Sequence, residues 1–128
     1  REKSALAVVL FSLDDFDAYV DVFGRHASDS CLRRVGQAIR RCLRRASDVV
    51  GRLENETLAV LSHAPDDHAV QEFAARISTA VRELGLHHPR SSAGRFVTVS
   101  YRVGLVQVAE ESRSAGAFLD GLLVELSD

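Results

Sequence analysis

The sequence predicts a single α/β domain in which helices pack on a central mixed sheet. Its 128 residues are 46% hydrophobic and 27% charged, a composition typical of one compact globular domain. Apolar residues follow the period of strands in some segments and the period of helices in others. Two short apolar runs are separated by a polar tripeptide, which predicts a hairpin. The expected order is β-α-α-β-β-α-β-α, with helices flanking the sheet.

The first half of the chain begins with a buried strand. Residues 5–13 are rich in Val, Leu and Phe without polar alternation, which is typical of a central strand covered on both faces. Asp14 and Asp15 then place carboxylates at the start of a short helix that continues to about Phe23. Gly24 is expected to end this helix.

A second, amphipathic helix is expected from about Ser28 to Arg45, with arginines on its polar face. The two cysteines of the chain, Cys31 and Cys42, lie in it. They are about 16 Å apart along the helix axis, so they cannot form a disulfide with each other. We expect both to be small apolar core residues in a reducing compartment.

The second half of the chain is expected to contain a hairpin, a helix, a long strand and a closing helix. The predicted elements are strands at 49–53 and 57–62, a helix at 65–84, a loop at 85–94, a long strand or strand pair at 96–108 and a helix at 115–126. Pro65 and the two aspartates after it are typical of a helix start. The strand at 96–108 has apolar residues at period two.

Charge and hydropathy exclude two classes of protein. The chain has 16 basic and 18 acidic residues and a net charge of −2, which argues against general attraction of a nucleic acid polymer. Its longest apolar run, at 5–11, is far shorter than the roughly 18 residues that span a bilayer, so direct membrane insertion is not expected. Because the chain starts at Arg1 and contains no Met, we expect residues 1–128 to be one domain of a longer multidomain protein. We expect that protein to be cytoplasmic, or anchored to a membrane by other segments.

A series of short motifs runs through the chain in a fixed order. They are Asp-Asp-Phe at 14–16, the pair Gly24 and Asp29, Arg-Ala-Ser-Asp at 45–48, Arg-Leu-Glu-Asn-Glu-Thr-Leu-Ala-Val at 52–60 and Val-Thr-Val-Ser at 97–100. Together they resemble the GGDEF domain of bacterial diguanylate cyclases, which condense two GTP molecules into cyclic di-GMP. The family has Arg-Tyr-Gly-Gly-Asp-Glu-Phe-Ala-Val at the position of 52–60. The resemblance covers nearly the whole chain and implies the nucleotide-cyclase-like (GGDEF) sandwich.

The signature of that family is degenerate in this chain. Its five positions are occupied by Glu54, Asn55, Glu56, Thr57 and Leu58. In the family the first glycine lets the nucleotide approach the backbone, whereas Glu54 adds a side chain and a negative charge there. Thr57 replaces the carboxylate of the fourth position, and Glu56 keeps a carboxylate at the third.

Other positions to which the resemblance assigns GTP or metal contacts have also changed. Ser12 replaces a metal-binding aspartate, Asp17 replaces a lysine that contacts the triphosphate, and Val20 replaces an asparagine that contacts guanine. Asp29 remains at the second guanine position. Because phosphoryl transfer depends on metal ions and on positioning, we expect no catalytic residues, no metal site and no requirement for magnesium.

An Arg-x-x-Asp sequence, Arg45 to Asp48, is followed by five residues before Glu54. Many GGDEF domains use this motif at this spacing as an inhibitory or receptor site for cyclic di-GMP, often with a second arginine that corresponds here to Arg76. A guanidinium can donate to guanine O6 and N7, and a carboxylate can accept from N1 and N2. The resemblance therefore implies an inactive domain that binds cyclic di-GMP through Arg45, Asp48 and Arg76.

Two other interpretations stay open from the sequence. A weakly active diguanylate cyclase would use Asp14, Glu56 and Asp29, and a ligand-free scaffold would use its helix surfaces only. The expected partners are cyclic di-GMP, other domains of the same polypeptide and a second copy of the domain. No Cys or His lies at ligand spacing from the pair His87-His88, so we expect this pair on the surface rather than at a metal.

Overall fold

The computed structural model describes residues 5–44, 48–53, 56–64 and 66–107. In chain order the elements are strand β1 (Ala5–Leu13), helix α1 (Phe16–Cys42), strand β2 (Val49–Arg52), strand β3 (Thr57–Ala64), helix α2 (Asp67–Arg82) and strand β4 (Val99–Gln107). The predicted order is confirmed as far as the last strand. The closing helix expected at 115–126 lies outside the described residues.

The four strands form one sheet in the order β2-β3-β1-β4. Strand β1 pairs with β3 and β4, and β2 pairs with β3, all antiparallel. The expectation of a mixed sheet is therefore wrong for the described strands. The two helical connections explain why no described neighbours are parallel. Each connection joins two strands that run in the same direction, but another strand lies between them. Strand β3 separates β2 from β1, and β1 separates β4 from β3.

Strand β1 contributes to two hydrophobic clusters, one on each face of the sheet. Val9 and Phe11 pack in the main core with residues of both helices, and Val8 packs with Ala59 and Leu61 in a smaller cluster. All five side chains are buried. The unbroken apolar run in the sequence correctly predicted a central strand, because both faces of β1 must be apolar.

Helix α1 is broken at Gly24, where φ is 89° and ψ is 169°. The sequence predicted that a first helix ends at this residue, and the structure confirms it, although the second helix resumes at once rather than at Ser28. The hydroxyl of Ser28, which is fully buried, donates to the Gly24 carbonyl oxygen at 2.7 Å. This hydrogen bond connects the break at Gly24 to the first turn of the helical segment that follows it.

Helix α2 begins with a side-chain cap. The carboxylate of Asp66 accepts from the backbone N–H of Ala69 at 2.9 Å, as the sequence predicted for this acidic pair. The buried face of the helix consists of Val70, Ala74, Ile77 and Val81. Within the described ranges, neither helix is long and apolar enough to cross a membrane.

The break in α1 leads to a first testable prediction. A side chain at Gly24 would be strained, because its backbone conformation is essentially restricted to glycine, so Gly24→Ala should cost about 1–3 kcal/mol in the free energy of unfolding. Gly36 is the matched control, since it lies in α1 at a φ that is not positive and an added methyl would have no atom within 4 Å. Gly36→Ala should stabilise the domain by about 0.5–1 kcal/mol. Equal effects of the two substitutions in thermal unfolding would contradict the break.

Candidate functional site

A cleft near the start of β1 contains two of the three residues predicted to bind cyclic di-GMP. Asp48, just before β2, and Arg76, on α2, both line this cleft, whose volume is about 250 Å³. Ser62 of β3 and Phe73 of α2 form part of its walls. The third predicted residue, Arg45, lies outside the described residues. The fold therefore brings Asp48 and Arg76 together from distant parts of the sequence.

Asp48 is oriented by strand β3. One oxygen of its carboxylate accepts a hydrogen bond from the hydroxyl of Ser62 at 2.9 Å. Ser62 is a buried residue inside a paired strand, so its own position is set by the sheet. The direction of the Asp48 carboxylate is consequently fixed by the sheet rather than only by the segment that precedes β2.

Arg76 is oriented by an aromatic ring on its own helix. Its guanidinium carbon lies 5.6 Å from the centroid of the Phe73 ring, which is a cation–π distance. The two residues are three positions apart and therefore neighbours on the helix surface. Contact with the ring limits the orientation of the guanidinium, whose planar N–H groups suit bidentate recognition.

Two charged residues of the cleft were missed by sequence reasoning. Arg44 and Glu72 line it together with Asp48 and Arg76. Glu72 lies one helical turn before Arg76, and its carboxylate is 3.3 Å from the ring of His68. The spacing of four residues between Glu72 and Arg76 was the available signal, because such pairs share a helix face. The cleft thus contains two arginines and two carboxylates.

A second cleft, at the opposite end of β1, brings together three of the degenerate cyclase positions. Ser12, Asp17 and Glu56 line it, and its volume is about 530 Å³. Asp15 lines it as well, so the charged residues among its described walls are all acidic. We call this second cleft the acidic cleft. The field of these carboxylates opposes the approach of a triphosphate.

Hydroxyl groups occupy the position where the family resemblance implies a metal-binding aspartate. Ser12 is directly opposite Thr57 on β3 and Ser100 on β4. The nearest carboxylate in the sequence, Asp14, accepts hydrogen bonds from Thr98 Oγ1 at 2.6 Å and from Ser100 Oγ at 2.5 Å. Asp14 is therefore bound to the β4 side of the sheet.

The remaining carboxylates of the weak-cyclase interpretation are paired with arginines. Asp29 lies 3.2 Å from Arg52, and Glu56 lies 3.3 Å from Arg25. In the parts of the chain that the structure describes, no group of three or more His, Cys, Asp or Glu side chains is arranged to hold a metal ion. The other degenerate positions are Val20, partly buried in α1, and Glu54 and Asn55, which lie outside the described residues.

The loop after α2 holds the turn between β1 and α1. His88 is buried, its Nε2 lies 2.9 Å from the carbonyl oxygen of Asp15, and its ring meets Tyr19 edge-on at 5.2 Å. Since a carbonyl oxygen can only accept, Nε2 carries the hydrogen. The expectation of a surface pair is therefore wrong for His88, whereas His87 is exposed. The contact joins residues far apart in sequence, and no local pattern signals it.

Asp15 itself has a left-handed φ of 55° and is held by Ser92. Its carboxylate accepts from the backbone N–H and from the hydroxyl of Ser92, both at 2.9 Å. These two hydrogen bonds lower the pKa of Asp15 below its ordinary value, because they stabilise the charged carboxylate. The edge of the acidic cleft is thus stabilised by the ionised form of Asp15.

The chain belongs to the GGDEF domain family. The family model described as "Diguanylate cyclase, GGDEF domain" matches residues 1–119. The chain is also 31% identical over 100 residues to the cyclic di-GMP phosphodiesterase NbdA of Pseudomonas aeruginosa. That match covers 78% of this chain and 12% of NbdA, so the chain spans only a small part of the length of this relative.

Solved GGDEF structures have the same fold. The GGDEF domain of DgcB from Caulobacter crescentus, in complex with c-di-GMP, is 18% identical with a TM-score of 0.68, and the match covers 97% of this chain and 72% of that one. The active GGEEF domain of a diguanylate cyclase from Vibrio cholerae is 16% identical with a TM-score of 0.65, covering 84% and 65%. The GGDEF domain of PA1120 (YfiN or TpbB) from Pseudomonas aeruginosa is 32% identical with a TM-score of 0.54, covering 91% and 70%. The predicted family and its nucleotide-cyclase-like sandwich are confirmed.

The contact between Asp15 and Ser92 predicts a pH dependence of stability. The pKa of Asp15 is lower in the folded chain than the value of about 3.9 in an unfolded chain. The ionised carboxylate therefore contributes fully to the free energy of unfolding when the pH is above that unfolded value. This contribution is lost as the pH falls through the pKa of the folded chain. Asp15→Asn keeps a residue that tolerates the left-handed φ. The substitution should lower the stability of the domain at pH 6, and it should make the loss of stability below pH 4 less steep.

Urea unfolding at a series of pH values measures this effect. The control is Asp21→Asn, since Asp21 is well exposed and lies 3.9 Å from Arg90, a contact that contributes little. The control should keep the acid dependence of the unmodified domain. If Asp15→Asn shows the same acid dependence as the control, the Ser92 contact does not stabilise the turn.

Proposed function

We propose that this GGDEF domain is a receptor for cyclic di-GMP that has lost cyclase activity and acts as a regulatory module in bacterial second-messenger signalling. The ligand binds through Arg45, Asp48 and Arg76. The observation that carries this proposal is the cleft shared by Asp48 and Arg76, two residues that are distant in sequence. Each is oriented by a separate partner, Ser62 for the carboxylate and Phe73 for the guanidinium.

The chemistry of this cleft suits a guanine base. A carboxylate such as that of Asp48 accepts from the N1 and N2 hydrogens, and an arginine donates to O6 and N7. Each well-formed bidentate pair contributes about 1–3 kcal/mol of discrimination against another base. Arg44, also in the cleft, is a second cation besides Arg76 that can contact one of the two phosphates of the ligand.

The loss of cyclase activity follows from the acidic cleft. Its described lining residues include three carboxylates, Asp15, Asp17 and Glu56. Arg25 pairs with Glu56, which leaves the negative charges of Asp15 and Asp17. Ser12 supplies a hydroxyl where a metal would need a carboxylate, and hard divalent cations bind carboxylates more strongly than hydroxyls. A triphosphate with its metal would therefore be bound poorly at this end of the sheet.

Two relatives support the choice of ligand and of setting. NbdA is named a cyclic di-GMP phosphodiesterase, and the DgcB domain was solved in complex with c-di-GMP. Since the match covers only 12% of NbdA, we propose that this domain reports cyclic di-GMP to other domains of a longer polypeptide, alone or as a homodimer. We further propose a cytoplasmic location for this polypeptide.

The first test concerns catalysis. Incubation of the domain with GTP and magnesium should yield no cyclic di-GMP above the level without protein, as measured by chromatography and mass spectrometry. Because two GTP molecules must meet between two domains, the test includes a form dimerised by a fused coiled coil. Product that disappears in a Glu56→Ala variant would show a working active site.

The second test concerns binding. In isothermal titration with cyclic di-GMP, Arg45→Ala and Asp48→Ala should each weaken binding at least about tenfold, which corresponds to 1.4 kcal/mol. Asp48→Asn should be nearly as damaging, because an amide nitrogen cannot accept from guanine. Arg45→Lys should not rescue binding, since an ammonium lacks the planar fork. Arg76→Ala should cost less, as a contact at the edge of the cleft.

The matched control is Arg82→Ala, which removes an exposed arginine from the same helix as Arg76 without touching the cleft. It should bind as the unmodified domain does. Unchanged affinity in Arg45→Ala and Asp48→Ala would place the ligand elsewhere. Absence of binding to the unmodified domain would favour the ligand-free scaffold.

A further inference from the structure

We propose that a groove between helix α1 and strand β2 binds an acidic, extended segment of a partner protein, which adds a strand to the edge of the sheet. This groove has a volume of about 230 Å³ and shares no lining residue with the cleft of Asp48 and Arg76. Its helix side includes Arg33, Gly36 and Arg40. Its strand side includes Val50 and Gly51.

The groove opens along an edge of the sheet. Strand β2 stands at one end of the strand order, and no strand of the described residues pairs with its outer side. Val50 and Leu58 pack in the main core, so the groove lies on the side of the sheet that faces α1. Its strand wall, Val50 to Arg52, belongs to the edge strand itself. Backbone N–H and C=O groups at such an edge can pair with an added strand.

The dimensions of the groove suit a short extended chain. Arg33 and Arg40 are seven residues apart on α1, which is about 10 Å along the helix axis. Three consecutive residues of β2 line the other side, and an extended chain advances about 3.3 Å per residue. A methyl group added at Gly36 or at Gly51 would have no atom within 4 Å. Open space above both backbones lets a segment of three or four residues lie close to β2.

The charge of the groove selects an acidic partner. Its charged lining residues are Arg33, Arg40 and Arg52, although the chain as a whole has a net charge of −2. Arg52 is 3.2 Å from Asp29, and Arg33 donates to the hydroxyl of Ser30 at 3.1 Å. One carboxylate against three arginines leaves a positive groove. Side chains of an extended segment alternate in direction, so acidic residues at every second position can face these arginines.

An apolar floor distinguishes the groove from a site for a small anion. Leu32, Val50 and Leu58 line it together with the arginines. The methylene groups of the acidic side chains can lie on this floor while their carboxylates reach the arginines of the rim, whereas inorganic phosphate can use only the rim. The combination of an edge strand, an apolar floor and a basic rim points to a peptide.

The test uses the complete 128-residue chain and a labelled eight-residue peptide in which glutamate and valine alternate. Fluorescence anisotropy should show binding that weakens with added salt. The same peptide with lysine in place of glutamate should not bind. N-methylation of one alternate set of its amides should weaken binding at least about tenfold, and methylation of the other set should be tolerated, because only one set faces β2.

The matched variants reverse charge at two arginines each. Arg33→Glu with Arg40→Glu should weaken peptide binding at least about tenfold, and Arg82→Glu with Arg90→Glu, both exposed and outside the groove, should not. Circular dichroism verifies that both variants fold. Cyclic di-GMP titration should be unchanged by the Arg33 and Arg40 reversal, which separates this proposal from the one above. The proposal is overturned if no peptide binds or if the lysine peptide binds as tightly as the glutamate peptide. It is also overturned if peptides methylated on either alternate set bind equally well, or if pyrophosphate displaces the labelled peptide as well as unlabelled peptide does.

Discussion

The antiparallel pairing of β1 with both β3 and β4 determines where every part of the candidate sites lies. It aligns Ala7 with Ser62 at one end of the strand and Ser12 with Thr57 and Ser100 at the other end. The cleft of Asp48 and Arg76 contains Ala7 and Ser62, and the acidic cleft contains Ser12. Ala7 and Ser12 are five positions apart on β1, which is about 17 Å. The two clefts are therefore separate sites on one rigid element, and either can change without the other.

The charges of the two clefts agree with the proposal that the domain has lost cyclase activity and still binds cyclic di-GMP. At the end of β1, carboxylates are paired with hydroxyls or with single arginines, as for Asp14 with Ser100 and Glu56 with Arg25. These contacts satisfy the carboxylates within the protein and leave none arranged around a metal among the described residues. At the start of β1, Arg76 and Asp48 are oriented by Phe73 and Ser62. Orienting both charged groups before the ligand arrives lowers the entropic cost of binding.

Much of the fold follows from local sequence signals. Strand β1 was predicted with its observed limits, because a strand buried on both faces has an unbroken apolar run. The break at Gly24 and the cap at Asp66 were predicted because each depends on the chemistry of one residue and its neighbours. The strand pairing was predicted less well, since a helical connection does not tell whether the next strand is adjacent or one strand away.

Contacts between distant segments were the least predictable part of the site. The burial of His88 against Asp15 depends on a loop that returns from the end of α2, and its sequence looks like that of a surface loop. Arg44 lies in the same cleft as α2 residues that are distant in sequence, which no spacing in the chain shows, whereas Glu72 was signalled by its spacing of four residues from Arg76. The alignment of Asp48 with Arg76 came from the family resemblance, and their recognition of cyclic di-GMP stays a proposal.

The most direct measurement of the central claim is a titration of the ¹⁵N-labelled domain with cyclic di-GMP, followed through its amide resonances. If cyclic di-GMP binds at the start of β1, saturable shifts are expected for Asp48, Ser62 and Arg76 and none for Asp17 and Glu56. Shifts centred on Ser12, Asp17 and Glu56, with none at Asp48, would contradict it and would place the nucleotide in the acidic cleft.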